Sequence, residues 1–67
     1  MSENEISVSS KPSAQQVSEI AFVISRNPSI PLILNGNEKS GETVLFYAEE
    51  EDTSRERIEN DINSYYD

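Results

Sequence analysis

The side chains best able to do chemistry in this 67-residue chain are carboxylates: thirteen Asp and Glu stand against five Lys and Arg, for a net charge of −8. Eight of them (Glu49, Glu50, Glu51, Asp52, Glu56, Glu59, Asp61 and Asp67) fall after residue 48, with only Arg55 and Arg57 among them. Eight acids less two arginines leave −6 on residues 49–67, and −2 remains for residues 1–48. Paired carboxylates can carry general acid–base catalysis, but only where a dry, enclosed pocket raises one pKa. A chain this short buries about 60% of its unfolded surface, which is thin material for such a pocket. There is no histidine and no cysteine. The side chain best suited to proton transfer near neutral pH, the strongest intrinsic nucleophile, the usual zinc ligands and the disulfide are therefore all missing. Glu49-Glu50-Glu51-Asp52 lacks the alternating ligands and glycine of a calcium loop. The two glycines form neither a G-x-G-x-x-G motif nor a phosphate loop. The expectation is a protein without catalytic residues, cofactor or metal, whose carboxylates act by binding.

Such a negative field repels phosphate and anionic lipid and complements a basic protein surface. No run of residues approaches the ~18 apolar positions of a membrane span. The start, Met1-Ser2-Glu3-Asn4-Glu5, is acidic where a signal peptide is basic. A cytoplasmic location is expected.

The elements that would position these groups are legible from pattern. Residues 1–5 read as disordered, and Ile6-Ser7-Val8-Ser9 alternates as a short strand does. Pro12 suits a first helical turn, and Ser13 with Gln16 has capping-box spacing. Val17, Ile20, Ala21 and Ile24 share one helical face, Phe22 and Val23 widen it, and Pro28 stops it, so a helix is expected over residues 13–26. Two apolar runs, Pro31-Leu32-Ile33-Leu34 and Thr43-Val44-Leu45-Phe46-Tyr47-Ala48, flank a loop from Asn35 to Gly41, the signature of an antiparallel hairpin. Thr53 with Glu56 suggests a second capping box, followed by Ile58, Ile62, Tyr65 and Tyr66 on one narrow stripe. The reading is a small single α+β domain in β-α-β-β-α order, with a core over 6–52 and an acidic amphipathic C-terminal helix over 53–67. That helix either belongs to the same domain or forms a partner-binding tail.

Two binding surfaces follow. In the terminal helix, Ile58, Ile62, Tyr65 and Tyr66 would anchor in a partner's groove while Glu51, Asp52, Glu56, Glu59 and Asp61 steer association with a basic partner. The competing reading packs Ile58 and Ile62 onto the chain's own sheet. If the helix is a free tail, deleting residues 53–67 leaves a folded core. On the sheet, Leu32, Leu34, Leu45 and Tyr47 would form an outward apolar patch serving a homodimer.

The order of a helix striped by Val17, Ile20 and Ile24, the run Pro31-Leu32-Ile33-Leu34, a glycine turn, a second apolar run from Val44 and a capped acidic helix from Asp52 resembles the Phd/YefM class of antitoxins from bacterial toxin–antitoxin modules. The likeness covers roughly residues 6–60. It implies a homodimer built on the sheet and first helix, with residues 53–66 neutralising a cognate toxin. The family's dimers also bind operator DNA through their N-terminal part. This chain departs there, because Glu3, Glu5 and Glu19 outnumber Lys11 over the first 25 residues. The function expected is thus a non-enzymatic, antitoxin-like protein-binding regulator or inhibitor. The alternatives are an acidic nucleic-acid-mimic decoy of a mobile element or phage, and an architectural dimer that binds nucleic acid.

Overall fold

The computed structural model describes residues 5–36 and 44–66. Expected disorder at residues 1–4, most of the expected loop (37–41), Thr43 and the terminal Asp67 lie outside the described residues. The elements are β1 (Ile6–Val8), α1 (Ala14–Arg26), β2 (Leu32–Leu34) and α2 (Arg55–Tyr66). The architecture is mixed α+β.

Helix α1 begins where local chemistry says it should. The Ser13 hydroxyl accepts from the Gln16 N–H at 3.2 Å, and the Gln16 side chain accepts from the Ser13 N–H at 3.0 Å, closing the capping box. At the other end the Asn27 N–H reaches the carbonyls of Val23 and Ile24, and its amide side chain also donates to Val23, before Pro28 stops the chain. Val17, Ala21 and Ile24 are buried and Ile20 packs beside them. Phe22 and Val23 do not widen the buried stripe: they stay 47% and 38% exposed. Only one side of α1 is covered, by the small sheet and α2, so the expectation of burial on more than one side fails.

The sheet differs from the expected hairpin. Leu32–Leu34 pairs with Ile6–Val8, in parallel, in the register Ile6 to Leu32, Ser7 to Ile33 and Val8 to Leu34. Flanking bonds from Ile6 N–H to Pro31 O (3.0 Å) and from Asn35 N–H to Val8 O (2.9 Å) extend the pairing at both ends. Parallel strands need a crossover of a dozen residues or more, and α1 supplies it. Residues 44–47 belong to no strand. They alternate nonetheless, with Val44 and Phe46 outward and Leu45 and Tyr47 inward. The strand expected over 43–48, its antiparallel pairing with Leu32–Leu34 and hence the β-α-β-β-α order are not found among the described residues, whose order is β-α-β-α. β2 meets a strand far back in the chain, and Tyr47 is drawn inward to α2.

One cluster holds the fold together: Val8, Val17, Ala21, Ile24, Leu32, Leu34, Tyr47, Ile58 and Ile62, with Ile6, Ile30, Leu45, Tyr65 and Tyr66 against it. Helix α2 is therefore part of the domain. Its cap is Ser54, not the expected Thr53: the Ser54 hydroxyl accepts from the Arg57 N–H at 3.3 Å, and the Ser54 carbonyl accepts from the Ile58 N–H. The last turn of α2 closes the sheet. The Tyr66 hydroxyl lies 3.0 Å from the Val8 carbonyl and 2.9 Å from that of Asn35, one proton shared between the last carbonyl of β1 and the carbonyl just past β2.

Gly36 follows at φ 96, and a Cβ there would lie 2.2 Å from the Ser9 carbonyl oxygen. Both the conformation and the close backbone approach demand glycine. Gly36→Ala is expected to lower stability by about 2 kcal/mol or more, read as a drop in urea midpoint with unchanged m-value. A chain ending at Asp52 is expected to lack cooperative unfolding altogether, because it loses two fully buried isoleucines, each worth about 2 kcal/mol of burial. A folded truncated chain by circular dichroism would contradict this packing.

Candidate functional site

The residues expected to bind a partner separate into two groups. Ile58 and Ile62 are fully buried, so they are unavailable as anchors. Tyr65 and Tyr66 are half-buried, stacked edge-to-face with centroids 4.7 Å apart, and Tyr66 is committed to the strand ends. The patch expected for a dimer meets the same fate. Leu32 and Leu34 are fully buried, Tyr47 is 1% exposed and Leu45 packs against the core, so these side chains form no outward surface. These apolar side chains are used internally.

The carboxylates, by contrast, remain outside. Glu49, Glu50, Glu51, Asp52 and Glu56 are exposed, while Glu59 and Asp61 are half-buried. The two arginines of the segment are turned onto its own acids. Arg55 pairs with Glu59 at 3.0 Å and also donates to the Ser18 hydroxyl on α1. Arg57 pairs with Glu50 at 3.2 Å and with Asp61 at 3.7 Å, donates to the Asp52 carbonyl, and lies 5.4 Å from the centroid of the Tyr47 ring. Exposed pairs such as these contribute at most about 1 kcal/mol each. Their effect is positional: Arg57 ties the turn at 49–52 to the first turns of α2. Glu49, Glu51 and Glu56 stand outside those pairs and project the negative field.

Tyr47 anchors the turn from inside. Its hydroxyl donates to the Asp61 carboxylate, and its carbonyl accepts from the Glu50 N–H at 3.1 Å, closing a tight turn through Ala48 and Glu49. Glu49 sits in that turn at φ 67, the left-handed region that disfavours a side chain. Just before the turn, Phe46 is 55% and Val44 49% exposed. Pattern reading missed Phe46 and Val44 because alternation does not say which side faces out. It missed Glu49 because a run of glutamates carries no signal for positive φ.

Two further features line the helices. Ser18, Glu19, Phe22, Val23 and Arg55 border a groove between α1 and the start of α2, and Arg26 lies 5.3 Å from the Phe22 ring centroid. Lys11, Asn60, Asn63 and Ser64 border a polar cleft beside α2. Among the described residues no group of His, Cys, Asp or Glu could hold a metal ion, and no helix is long and apolar enough to cross a membrane. No protein-family model, curated protein or solved structure matches the chain.

Burial, and then the hydrogen bond to Asp61, pushes the Tyr47 phenol well above the usual tyrosine range. Burial raises Tyr66 in the same direction. A folded-state pKa above the unfolded value means that the native chain holds the proton longer. The stabilisation is complete below about pH 10, where the unfolded phenol titrates, and declines as pH climbs beyond it. Urea unfolding from about pH 8 to pH 11 is expected to show that decline, and Tyr47→Phe should flatten it. Equal slopes for the two chains would show that the phenol is not linked to folding.

Proposed function

We propose that this chain is a non-enzymatic protein-binding regulator that docks on the basic surface of a partner protein through residues 44–52. Phe46 and Val44 provide the apolar contact, and Glu49, Glu51 and Glu56 provide the steering charge. The observation that carries this reading is the strained acidic turn beside an exposed aromatic. A non-glycine residue in the left-handed region costs about 1–2 kcal/mol, and such strain concentrates where a surface has a task beyond folding. Exposed Phe46 adds the kind of rigid apolar area that dominates interface energetics. The acids keep that apolar edge soluble and favour a basic partner through faster encounter. An antitoxin is one such regulator, and the order of apolar runs, turn and acidic helix supports that form of the reading. In that case the contact with the toxin runs through 44–52 and the exposed acids of α2, since the apolar stripe of α2 serves the core.

A photo-crosslinking side chain at position 46 in the full chain, compared with one at exposed Gln15, tests the surface. In lysate of the source cells, position 46 is expected to give a discrete adduct. That adduct should fade at high salt and be lost when Glu49, Glu51 and Glu56 are changed to glutamine. Matching adducts at both positions, or none at 46, would remove the proposal. Glu49→Gly is expected to stabilise the chain by about 1 kcal/mol by relieving the positive φ, while weakening adduct formation several-fold through lost charge.

A further inference from the structure

The segment that carries Phe46 has a second property, which lies in its backbone. Among the described residues, no hydrogen bond is made by the N–H or C=O groups of Val44, Leu45 and Phe46. The first bond after them is that of the Tyr47 carbonyl. Their side chains nonetheless alternate, Val44 and Phe46 outward, Leu45 and Tyr47 inward, as those of a strand with one packed face do. Residues 44–46 thus combine strand-like alternation with a row of donors and acceptors that meets no partner among the described residues, held in place at one end by the bonds of Tyr47 to Asp61 and Glu50.

Resting on the reading above, we infer that residues 44–47 take up an extended segment of the partner as an added β-strand, and that the segment preferred carries alternating apolar side chains and a lysine- or arginine-rich end. Main-chain pairing supplies affinity in this mode of recognition, and alternate side chains supply specificity. Partner residues opposite Val44 and Phe46 pack across the outward face, where cross-strand apolar pairs each add about 0.2–1 kcal/mol. The basic end meets the turn at 49–52, where four consecutive acids share one guanidinium, that of Arg57, bound to Glu50. The same turn argues against a second copy of this chain as the occupant. Parallel pairing of two such segments would set their acidic turns side by side. In either direction the charge each copy carries opposes association, as charged side chains on natural edge strands do.

The test uses the full chain labelled with nitrogen-15 and a synthetic heptapeptide of alternating threonine and valine preceded by two lysines. In the free chain, the amides of Leu45 and Phe46 are expected to exchange with solvent at close to unprotected rates. Adding the peptide should shift the signals of residues 44–47 and slow exchange at 45 and 46 by about tenfold or more. Raising salt from about 50 to 500 mM should weaken this binding, and a peptide N-methylated on alternate amides should bind at least about tenfold more weakly. Four outcomes overturn the inference. Exchange at 45 and 46 already slowed about a hundredfold in the dilute free chain would show an internal partner. Slowing that rises with protein concentration would make a second copy the occupant. Equal binding of the N-methylated peptide would reduce the contact to side chains. Absence of shifts at 44–47 at millimolar peptide would show that the edge recruits no strand. In the last two cases the broader protein-binding reading is judged separately, by the crosslink at position 46.

Discussion

Burial of Ile58 and Ile62 in the cluster formed by Val17, Ala21, Ile24, Leu32 and Leu34 is the constraint on which the molecule depends. A parallel pair of three-residue strands cannot persist alone, and one helix covers only one side of it. The second helix completes the enclosure at both ends of its length. Near its start the arginines tie it to the turn at 49–52 and to Ser18 on α1. At its end Tyr66 bonds the last carbonyl of β1 and the carbonyl that follows β2. With neither cysteine nor histidine to call on, the chain obtains stability by committing nearly all of its aliphatic side chains to one cluster.

That commitment shapes the surface. Side chains that would otherwise be natural anchors for a partner, the stripe of α2 and the leucines of β2, are inside. Among the described residues, the large apolar groups left outside are Phe22, Val23, Val44 and Phe46. Phe22 lies under the Arg26 guanidinium, and Val23 shares a groove with Glu19 and Arg55. Val44 and Phe46 instead project from a segment whose backbone is also unpaired among the described residues, directly ahead of an acidic turn that only Arg57 partly compensates among the described residues. Charge, apolar area and main-chain groups without a partner among the described residues coincide in this segment.

The Tyr47 phenol joins the two halves of that arrangement. Its ring belongs to the core, its hydroxyl holds Asp61, and its carbonyl closes the turn that places Glu49 at positive φ. The presentation of the acids is thereby coupled to the packing of α2: moving the helix would move Asp61 and Arg57, and with them the turn. The strain at Glu49 is tolerated because the bonds on either side determine the backbone there.

Local chemistry was decided by the sequence alone. The capping box of Ser13 and Gln16, the stop at Asn27 and Pro28, the stripe of α1, the amphipathic α2 and the alternation from Val44 to Tyr47 each depend on neighbours a few residues apart, and each is readable from spacing. The absence of histidine and cysteine likewise needs no structure to be seen. Tertiary structure decided what those local units face. Whether Leu32 pairs backward with Ile6 or forward with a second run is settled by competition between contacts distant in sequence. So is the choice between Tyr47 and Phe46 for the core, because the alternating segment has two apolar faces here and period alone cannot assign them. The shift of the second helix cap from Thr53 to Ser54 shows the same limit on a smaller scale: two hydroxyls side by side offer equivalent caps, and the packing of Ile58 and Ile62 selects between them.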